Sequence, residues 1–156
     1  MDTCRRATRL IEVPREDLFA VLADPTTHAA IDGTGSVGEP LDTEVLGAVG
    51  QLFRMEMHHP RHPNGTYLMT NRVQESAPPA VISWEPGYDP GDGSVRFEGW
   101  IWRYDLTELG PSTTEVTLTY DWTAVPDPGQ LEVDFPPFGP EHLSNSLEHL
   151  AELAAS

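Results

Sequence analysis

Several polar residues fall where they could take part in proton transfer. Glu98 is the most suggestive of them, because it alternates in phase with Trp100 and Trp102 along a predicted strand. A carboxylate beside indole rings has its pKa raised by desolvation, which suits a group that exchanges a proton within hydrogen-bond reach of a substrate. The other candidates, on the same sheet face or on the last predicted helix, are Arg96, Asn71, His142, Ser146 and His149.

A plainer interpretation holds for the same residues, and we favour it. If the strand leaves the core before residue 98, Glu98 and Arg96 lie in solvent at the rim and do no chemistry. His142 and His149 stand about two helical turns apart, so we interpret them as histidines at the edge of the core. No catalytic residue is therefore assigned from the sequence.

Three further histidines, His58, His59 and His62, cluster in a proline-rich turn. Three imidazoles can bind zinc. However, neighbouring side chains at the end of a strand point to opposite faces, and the spacing matches no known metal-binding motif. His142 and His149 are too far apart to share a metal ion unless other ligands lie between them. The sequence therefore predicts neither a metal site nor another cofactor.

The elements that would position these residues follow from the alternation of apolar side chains and from the turns between them. Proline falls between the regular alternating runs, as hydrogen bonding in a sheet requires. The predicted strands, of which the second is the least regular, cover residues 5–13, 37–45, 50–58, 66–75, 80–85, 95–108 and 113–124.

A hairpin that turns near Gly110 and Pro111 fixes the faces of the last two strands. A one-residue slip would turn the whole set of side chains to the other face, so the turn and the alternation support one register. The hairpin would pair Leu106 with Val116, Tyr104 with Leu118, Trp102 with Tyr120 and Trp100 with Trp122. The remaining inward positions are Phe53, Met55, Met57, Met69, Asn71, Val73, Ile82 and Trp84, and outward ones include Glu115, Thr117, Thr119 and Asp121.

Three helices are predicted. The first covers about 15–23 and stops before Pro25, because the residue before a proline avoids the helical region. The second is short, is capped by Thr26 or Thr27 and runs to Ile31. The last has an apolar stripe, formed by Leu143, Leu147, Leu150 and Ala154, beside a mixed stripe of His142, Ser146, His149 and Leu153.

This order of elements predicts an α+β fold. A curved antiparallel sheet of about seven strands, in the order β-α-α-β6-α, would wrap around the long C-terminal helix and could leave a cavity between sheet and helix. The 156 residues are expected to form one domain, residues 1–156, with room for a core and a pocket. Aromatic side chains would line such a pocket.

Composition limits the partners. The chain carries 25 acidic and 9 basic residues, and its formal net charge of -16 repels phosphate backbones and anionic lipid head groups. It contains one cysteine, Cys4, and no apolar run long enough to span a membrane. We therefore expect a cytoplasmic protein that neither binds nucleic acid nor inserts into a membrane. The expected oligomeric state is a monomer or a homodimer.

The segment Val13–Pro25, followed by His28 and Asp32-Gly33, resembles the opening of the START-like superfamily, which includes the SRPBCC and polyketide cyclase/dehydrase proteins. The resemblance extends over nearly the whole chain and implies a helix-grip fold with an internal cavity. Two family features are absent. Ile31 replaces a common tryptophan, and Phe135-Pro136-Pro137-Phe138 replaces a glycine-tryptophan pair of the branch related to heat-shock ATPase activators.

Three functions remain open. The first is binding of an apolar or aromatic small molecule, lipid-like or polyketide-like, between the sheet and the C-terminal helix. The second is an aromatase/cyclase or dehydratase acting on a polyketide-type substrate. The third is a partner-binding module without a ligand, to which the apolar segment 134–138 would contribute. We expect the first and leave open whether the protein is an enzyme. The expected ligand-binding residues are Phe53, Met55, Met69, Asn71, Trp84, Glu98, Trp100, Trp102, Tyr104, Tyr120, His142, Ser146 and His149.

Overall fold

Eight strands form one antiparallel sheet in the computed structural model, which describes residues 4–32, 37–58, 66–89, 94–97, 99–124 and 141–155. Along the sheet they follow the order β1-β8-β7-β5-β4-β3-β2, and β6 pairs with β5 beside this path. The strands are β1 (Cys4–Ile11), β2 (Val37–Pro40), β3 (Leu52–His58), β4 (Thr66–Ala77), β5 (Val81–Asp89), β6 (Arg96–Phe97), β7 (Ile101–Gly110) and β8 (Thr113–Asp121).

Helices cover one face of this sheet, which we call the inner face. They are α1 (Arg15–Leu22), a 3-10 turn (Pro25–Thr27), α2 (His28–Asp32) and α3 (His142–Ala155). α3 packs against β1, β8, α1 and α2, and the Leu143, Leu147 and Leu150 side chains of its predicted stripe are at most 3% exposed. The predicted α+β fold is confirmed. None of the helices described is both long enough and apolar enough to cross a membrane.

The hairpin of β7 and β8 has the predicted register. Leu106 pairs with Val116, Tyr104 with Leu118 and Trp102 with Tyr120. All of these except Trp102 are buried. Two independent sequence signals, the turn and the alternation, therefore place the aromatic residues of both strands on the inner face.

The predicted strand 95–108 is wrong, because it is interrupted near its start, between β6 and β7. β6 pairs with β5 at Gly87 and Tyr88, whereas β7 pairs with the first half of β5. Gly99 lies between β6 and β7 with φ 104°, a left-handed conformation that ends an extended run. Alternation cannot be carried across such a break, so residues before Gly99 do not inherit the face of Trp102.

Asp24 follows the end of α1 and caps the next turn. Pro25 favours an extended conformation at Asp24 (φ -99°, ψ 109°), and the Asp24 carboxylate accepts hydrogen bonds from the backbone N–H and the hydroxyl of Thr26, at 3.0 and 2.7 Å. The predicted cap at Thr26 or Thr27 is wrong. The hydroxyl of Thr27 instead donates to the carbonyl of Val21 at 2.7 Å, because it points back toward α1.

β1 and β2 form the two edges of the sheet. β1 carries three of the nine arginines of the chain, Arg5, Arg6 and Arg9. β2 is only four residues long and ends at Pro40, which has no backbone N–H. Short strands, proline and charged side chains are typical of sheet edges.

Candidate functional site

Burial on the inner face changes along the strands. On β7, Leu106 and Tyr104 are 2% and 4% exposed, whereas Trp102 is half-buried, as is Trp100 just before β7. On β5, the change is from buried Ile82 to half-buried Trp84. The inner face around Leu106, Tyr104 and Ile82 is therefore closed core. At the other end, which we call the open end, the rings of Trp84, Trp100 and Trp102 are partly accessible.

An imidazole and three aromatic rings pack at the border of the open end. His28 of α2 stacks on Trp84 with 4.9 Å between ring centroids, and the ring of Phe53 meets His28 edge-on at 5.7 Å. The ring centroid of Tyr104 lies 6.0 Å from that of Trp84. The Nε2 atom of His28 donates to the carbonyl of Leu22 at 2.9 Å, and burial lowers the pKa of His28. His28 is thus a neutral histidine of the core.

A second aromatic group lies across β7 and β8 and reaches α3. The ring centroids of Trp102 and Tyr120 are 4.4 Å apart, and Tyr120 lies 5.8 Å from Trp122. The imidazole of His142, at the start of α3, stands 6.1 Å from Trp102. Burial raises the pKa of the Tyr120 phenol, so its hydroxyl keeps its proton at neutral pH.

His142 faces Asp32 across the contact between α3 and α2. The Nε2 atom of His142 lies 3.5 Å from Oδ1 of Asp32, and the two side chains are 10% and 15% exposed. Burial lowers the pKa of His142, and the nearby His149 lowers it further, while the charges of Asp32 and Glu141 oppose this change. The result is an imidazole that is neutral at pH 7 beside a carboxylate.

The negative charge of Asp32 also acts on two tyrosines of the sheet. Burial raises the pKa of Tyr67 on β4 and of Tyr104 on β7, and the negative charge of Asp32 raises both further. Tyr67 pairs with Met57 in register, so it belongs to an inward-facing row. The charge of Asp32 therefore acts on groups of β4, β7 and α3.

This arrangement is able to move a proton. A neutral imidazole can accept one, and an adjacent carboxylate stabilises the imidazolium that forms. Tyr67 and Tyr104 remain protonated and can donate hydrogen bonds, because their pKa values are raised. The chemical groups of an acid-base site are thus present beside the aromatic rings of the open end.

Some predicted site residues belong to the packed core instead. Asn71 is 7% exposed, and its Nδ2 atom donates to the carbonyl of Phe53 at 3.4 Å, which gives it a structural hydrogen bond. Low exposure is by itself common among the thirteen predicted ligand-binding residues, including His142 and Tyr104 of the candidate site. Those at most 9% exposed are Phe53, Met55, Met69, Asn71, Tyr104, Tyr120, His142 and Ser146.

His149 holds α2 to α3. Its Nδ1 atom lies 2.9 Å from the carbonyl oxygen of Ile31, so the imidazole donates to the last turn of α2. His142, two turns earlier on α3, contacts Asp32, the next residue of α2. The two histidines of the predicted mixed stripe therefore both meet α2.

Among the residues that the structure describes, no further predicted polar group joins this site. Arg96 is exposed, and its guanidinium lies 5.8 Å from the ring centroid of Tyr88. Glu98 lies outside the described residues, as do the 134–138 segment, His59 and His62. His58 is exposed, with Nε2 3.7 Å from a carboxylate oxygen of Glu56.

Sequence reasoning missed Asp32, Tyr67 and His28 as members of the inner face. Asp32 precedes a glycine-rich stretch and therefore suggests a loop, and His28 lies in a helix too short to show a periodic stripe. Tyr67 could have been found, because it precedes Met69 and Asn71 by the same two-residue alternation.

A concavity of about 360 Å³ lies on the outer face of the sheet. Its lining is largely polar. Arg103 donates there to Asp105 at 3.0 Å and to Glu75 at 3.1 Å, so its charge is matched within the protein. We therefore place the candidate site on the inner face.

The sequence matches no known family model. It is 31% identical over 121 residues to the uncharacterised protein Rv0088 of Mycobacterium tuberculosis, and the match covers 76% of this chain and 48% of that protein. The chain thus spans about half the length of the curated relatives it matches.

Solved structures resemble this one over almost its full length. Protein Ms6760 of Mycobacterium smegmatis has a TM-score of 0.69 at 17% identity, covering 98% of this chain and 91% of that one. Protein CV1439 of Chromobacterium violaceum has a TM-score of 0.68 at 19% identity, covering 100% and 99%. The ZhuI aromatase/cyclase of Streptomyces has a TM-score of 0.55 at 18% identity, covering 97% and 86%. The chain therefore has the helix-grip fold.

Proposed function

We propose that this protein binds an apolar or aromatic small molecule between the inner face of the sheet and α3. The observation that carries the proposal is the open end, where Trp84, Trp100 and Trp102 are only half-buried beside a sealed core. Small-molecule sites are mostly apolar and aromatic, with a few polar groups that orient the ligand. Asp32 and His142 would be those polar groups.

Native mass spectrometry of the purified protein, followed by organic extraction, tests this proposal. We expect a mass above that of the chain alone, and an extracted lipid, fatty acid or polyaromatic compound that accounts for the difference. The extracted compound is then added back to ligand-free protein, and binding is measured by calorimetry. Failure of the extracted compound to bind again would contradict the proposal.

A pair of variants locates the binding site. Trp102→Leu replaces an aromatic ring of the open end by a smaller aliphatic side chain. It should weaken binding of the extracted compound at least about tenfold, because a large aromatic contact is lost. Leu109→Ala changes a side chain that is 55% exposed near the β7–β8 turn, so it should leave the affinity unchanged. Equal losses for both variants would place the ligand elsewhere.

An aromatase/cyclase or dehydratase is the second candidate, and the Asp32–His142 pair supports it. In such a reaction, a base would remove a proton from a carbon between two carbonyls, and that carbon would attack another carbonyl of the same chain. The new alkoxide would take up a proton, and loss of water would then give the ring its double bond. The neutral imidazole of His142 suits the first step. Likeness to an aromatase/cyclase at 18% identity is compatible with this reaction.

Incubation with a synthetic poly-β-ketone tests the second candidate. An enzyme should form an aromatic product faster than buffer does, and His142→Gln should lower the rate at least about a hundredfold, within the range of general base catalysis. His149→Gln is the comparison on the same helix and should lower the rate far less, because the His149 imidazole is already engaged with the backbone carbonyl of Ile31. A rate equal to that in buffer would leave binding without catalysis.

A further inference from the structure

We propose that the outer face of the sheet carries a further binding site, for a neutral molecule rich in hydroxyl groups, such as two linked sugar rings. The site is the concavity of about 360 Å³ around Arg103, and it is independent of the site proposed on the inner face. Two buried hydroxyls in its lining, those of Ser83 and Thr119, carry the inference.

One row of residues crosses the concavity from strand to strand. Arg6 of β1 pairs with Thr119 of β8, Thr119 with Arg103 of β7, Arg103 with Ser83 of β5, and Ser83 with Glu75 of β4. Side chains of directly opposite residues lie on the same face of a sheet, so this row belongs to the outer face. Because two short side chains alternate with three long charged ones, the row forms a depression.

The two short side chains are polar and buried. Ser83 is 3% exposed and Thr119 is 6% exposed. Within the part of the chain that the structure describes, neither hydroxyl takes part in a hydrogen bond. A buried hydroxyl without a partner costs free energy, and both of these hydroxyls line the concavity. A ligand that forms hydrogen bonds with them would remove this cost.

The charges around these hydroxyls favour a neutral ligand. Arg103 donates to Asp105 at 3.0 Å and to Glu75 at 3.1 Å, while Arg6 and Asp121 line the concavity from β1 and β8. An anion would meet the carboxylates and a cation would meet the guanidinium groups, so a net charge of either sign gains little. A hydroxyl group of a ligand can instead donate to a carboxylate and accept from an arginine.

The spacing of the row indicates the length of the ligand. Ser83 and Thr119 lie on β5 and β8 with β7 between them, so roughly 10 Å separates their positions. Two linked sugar rings span this distance, whereas a single ring does not. The half-buried Ile101 of the lining offers an apolar contact to the carbon–hydrogen face of a ring.

Nuclear magnetic resonance titration with three neutral disaccharides, maltose, cellobiose and lactose, tests this inference. At least one of them should cause saturable shifts of backbone amide signals, and the largest shifts should lie at Ser83, Arg103 and Thr119. Glucose should bind at least about tenfold more weakly, because one ring loses one of the two hydroxyl contacts and the apolar contact. The affinity should change by less than about twofold between about 0.02 and 0.5 M NaCl, since the ligand is uncharged.

Three variants locate the site. Thr119→Val removes one buried hydroxyl but keeps the shape of the side chain, and should weaken binding at least about fivefold. Thr117→Val is the matched control on the same strand and the same face. The described lining of the concavity does not include Thr117, so the affinity should stay within about twofold. Arg6→Gln changes an exposed side chain on an edge strand, which leaves the fold intact, and should also weaken binding.

The absence of saturable shifts on the outer face with all three disaccharides would overturn the inference, because it would mean that only solvent meets these hydroxyls. Equal affinities of the wild type, Thr119→Val and Arg6→Gln would overturn it as well, as would shifts centred on the inner face. None of these results bears on the ligand proposed for the inner face, because that ligand is apolar or aromatic.

Discussion

The imidazole of His28 lies flat on the indole of Trp84, with 14° between the ring planes and 4.9 Å between the centroids. Its Nε2 atom donates to the carbonyl of Leu22, which ends α1. One side chain of α2 thus joins the preceding helix to the sheet. This contact requires a neutral ring, because burial disfavours the charged form.

The free energy of unfolding should therefore depend on pH near neutrality. Burial places the pKa of folded His28 below its ordinary value of 6.5, so below about pH 6.5 the unfolded chain binds more protons than the folded one. Stability should be lost as the pH falls from 7 to 5.5, by about 1 kcal/mol from His28, and His142 acts in the same direction. Urea unfolding at several pH values measures this loss.

The variant His28→Asn should show a smaller loss over the same pH range. Ile82→Val provides the control, because it removes one methylene from a fully buried side chain and costs roughly 1 kcal/mol without changing any titrating group. A pH dependence that is the same in His28→Asn and in the wild type would disprove the role assigned to this histidine.

The change in burial along the inner face should be visible in stability. Phe53 is 1% exposed, so Phe53→Ala should cost about 3–5 kcal/mol of unfolding free energy. Trp102 is half-buried, and Trp102→Ala should cost about 1–2 kcal/mol, because part of its ring already meets solvent. Guanidinium unfolding of both variants compares them. A loss of unfolding free energy for Trp102→Ala as large as that for Phe53→Ala would mean that the open end is closed in solution.

Thr114 ties β8 to the start of α1. Its side chain is fully buried, and its hydroxyl donates to the carbonyl of Val13 at 2.8 Å. Thr114→Val should cost about 1–3 kcal/mol, since the carbonyl loses its partner in a dry environment. The exposed hydroxyl of Thr117 meets only that of Thr8, at 3.1 Å, among the contacts described, so Thr117→Val should change stability by less than about 0.5 kcal/mol. Comparable losses would argue against the Thr114 bond.

Gly87 allows β6 to lie close to β5. A Cβ atom at this position would come within 2.7 Å of Val95 Cγ1 and 2.8 Å of the Phe97 ring. Gly87→Ala should therefore displace β6 and cost about 1–3 kcal/mol. At Gly110 a Cβ atom would meet nothing within 4 Å, which makes Gly110→Ala the control. Thermal unfolding compares them, and a neutral Gly87→Ala would show that β6 can move away freely.

Much of the fold could be predicted because several sequence signals agree. The turn at 110–111 and the alternation of apolar residues give β7 and β8 one register, and leucines spaced by four and three residues give α3 its buried stripe. Reasoning from alternation fails at Gly99. The sequence of an alternating run is the same whether its glycine has an extended φ or a φ of 104°. The break before β7 therefore cannot be predicted from the sequence.

The site was less predictable than the fold, for a different reason. His142 was a candidate, but Asp32 lies near the other end of the chain and meets it through the packing of α2 on α3. For Asn71 the face could be predicted, but its hydrogen-bond partner could not. Its alternation correctly places it inward, yet nothing in the sequence shows that the carbonyl of Phe53 accepts its hydrogen bond. Partners of polar groups depend on tertiary distance, which periodicity does not contain.

The arginines of β1 bear on how this protein avoids aggregation. An open sheet can grow by adding strands from other copies, and the two edges β1 and β2 are where growth would begin. Two β1 strands brought side by side would place Arg5, Arg6 and Arg9 of each copy against the same positive charges. At the other edge, β2 offers four residues and a proline. The sheet can therefore keep its inner face accessible without recruiting further strands.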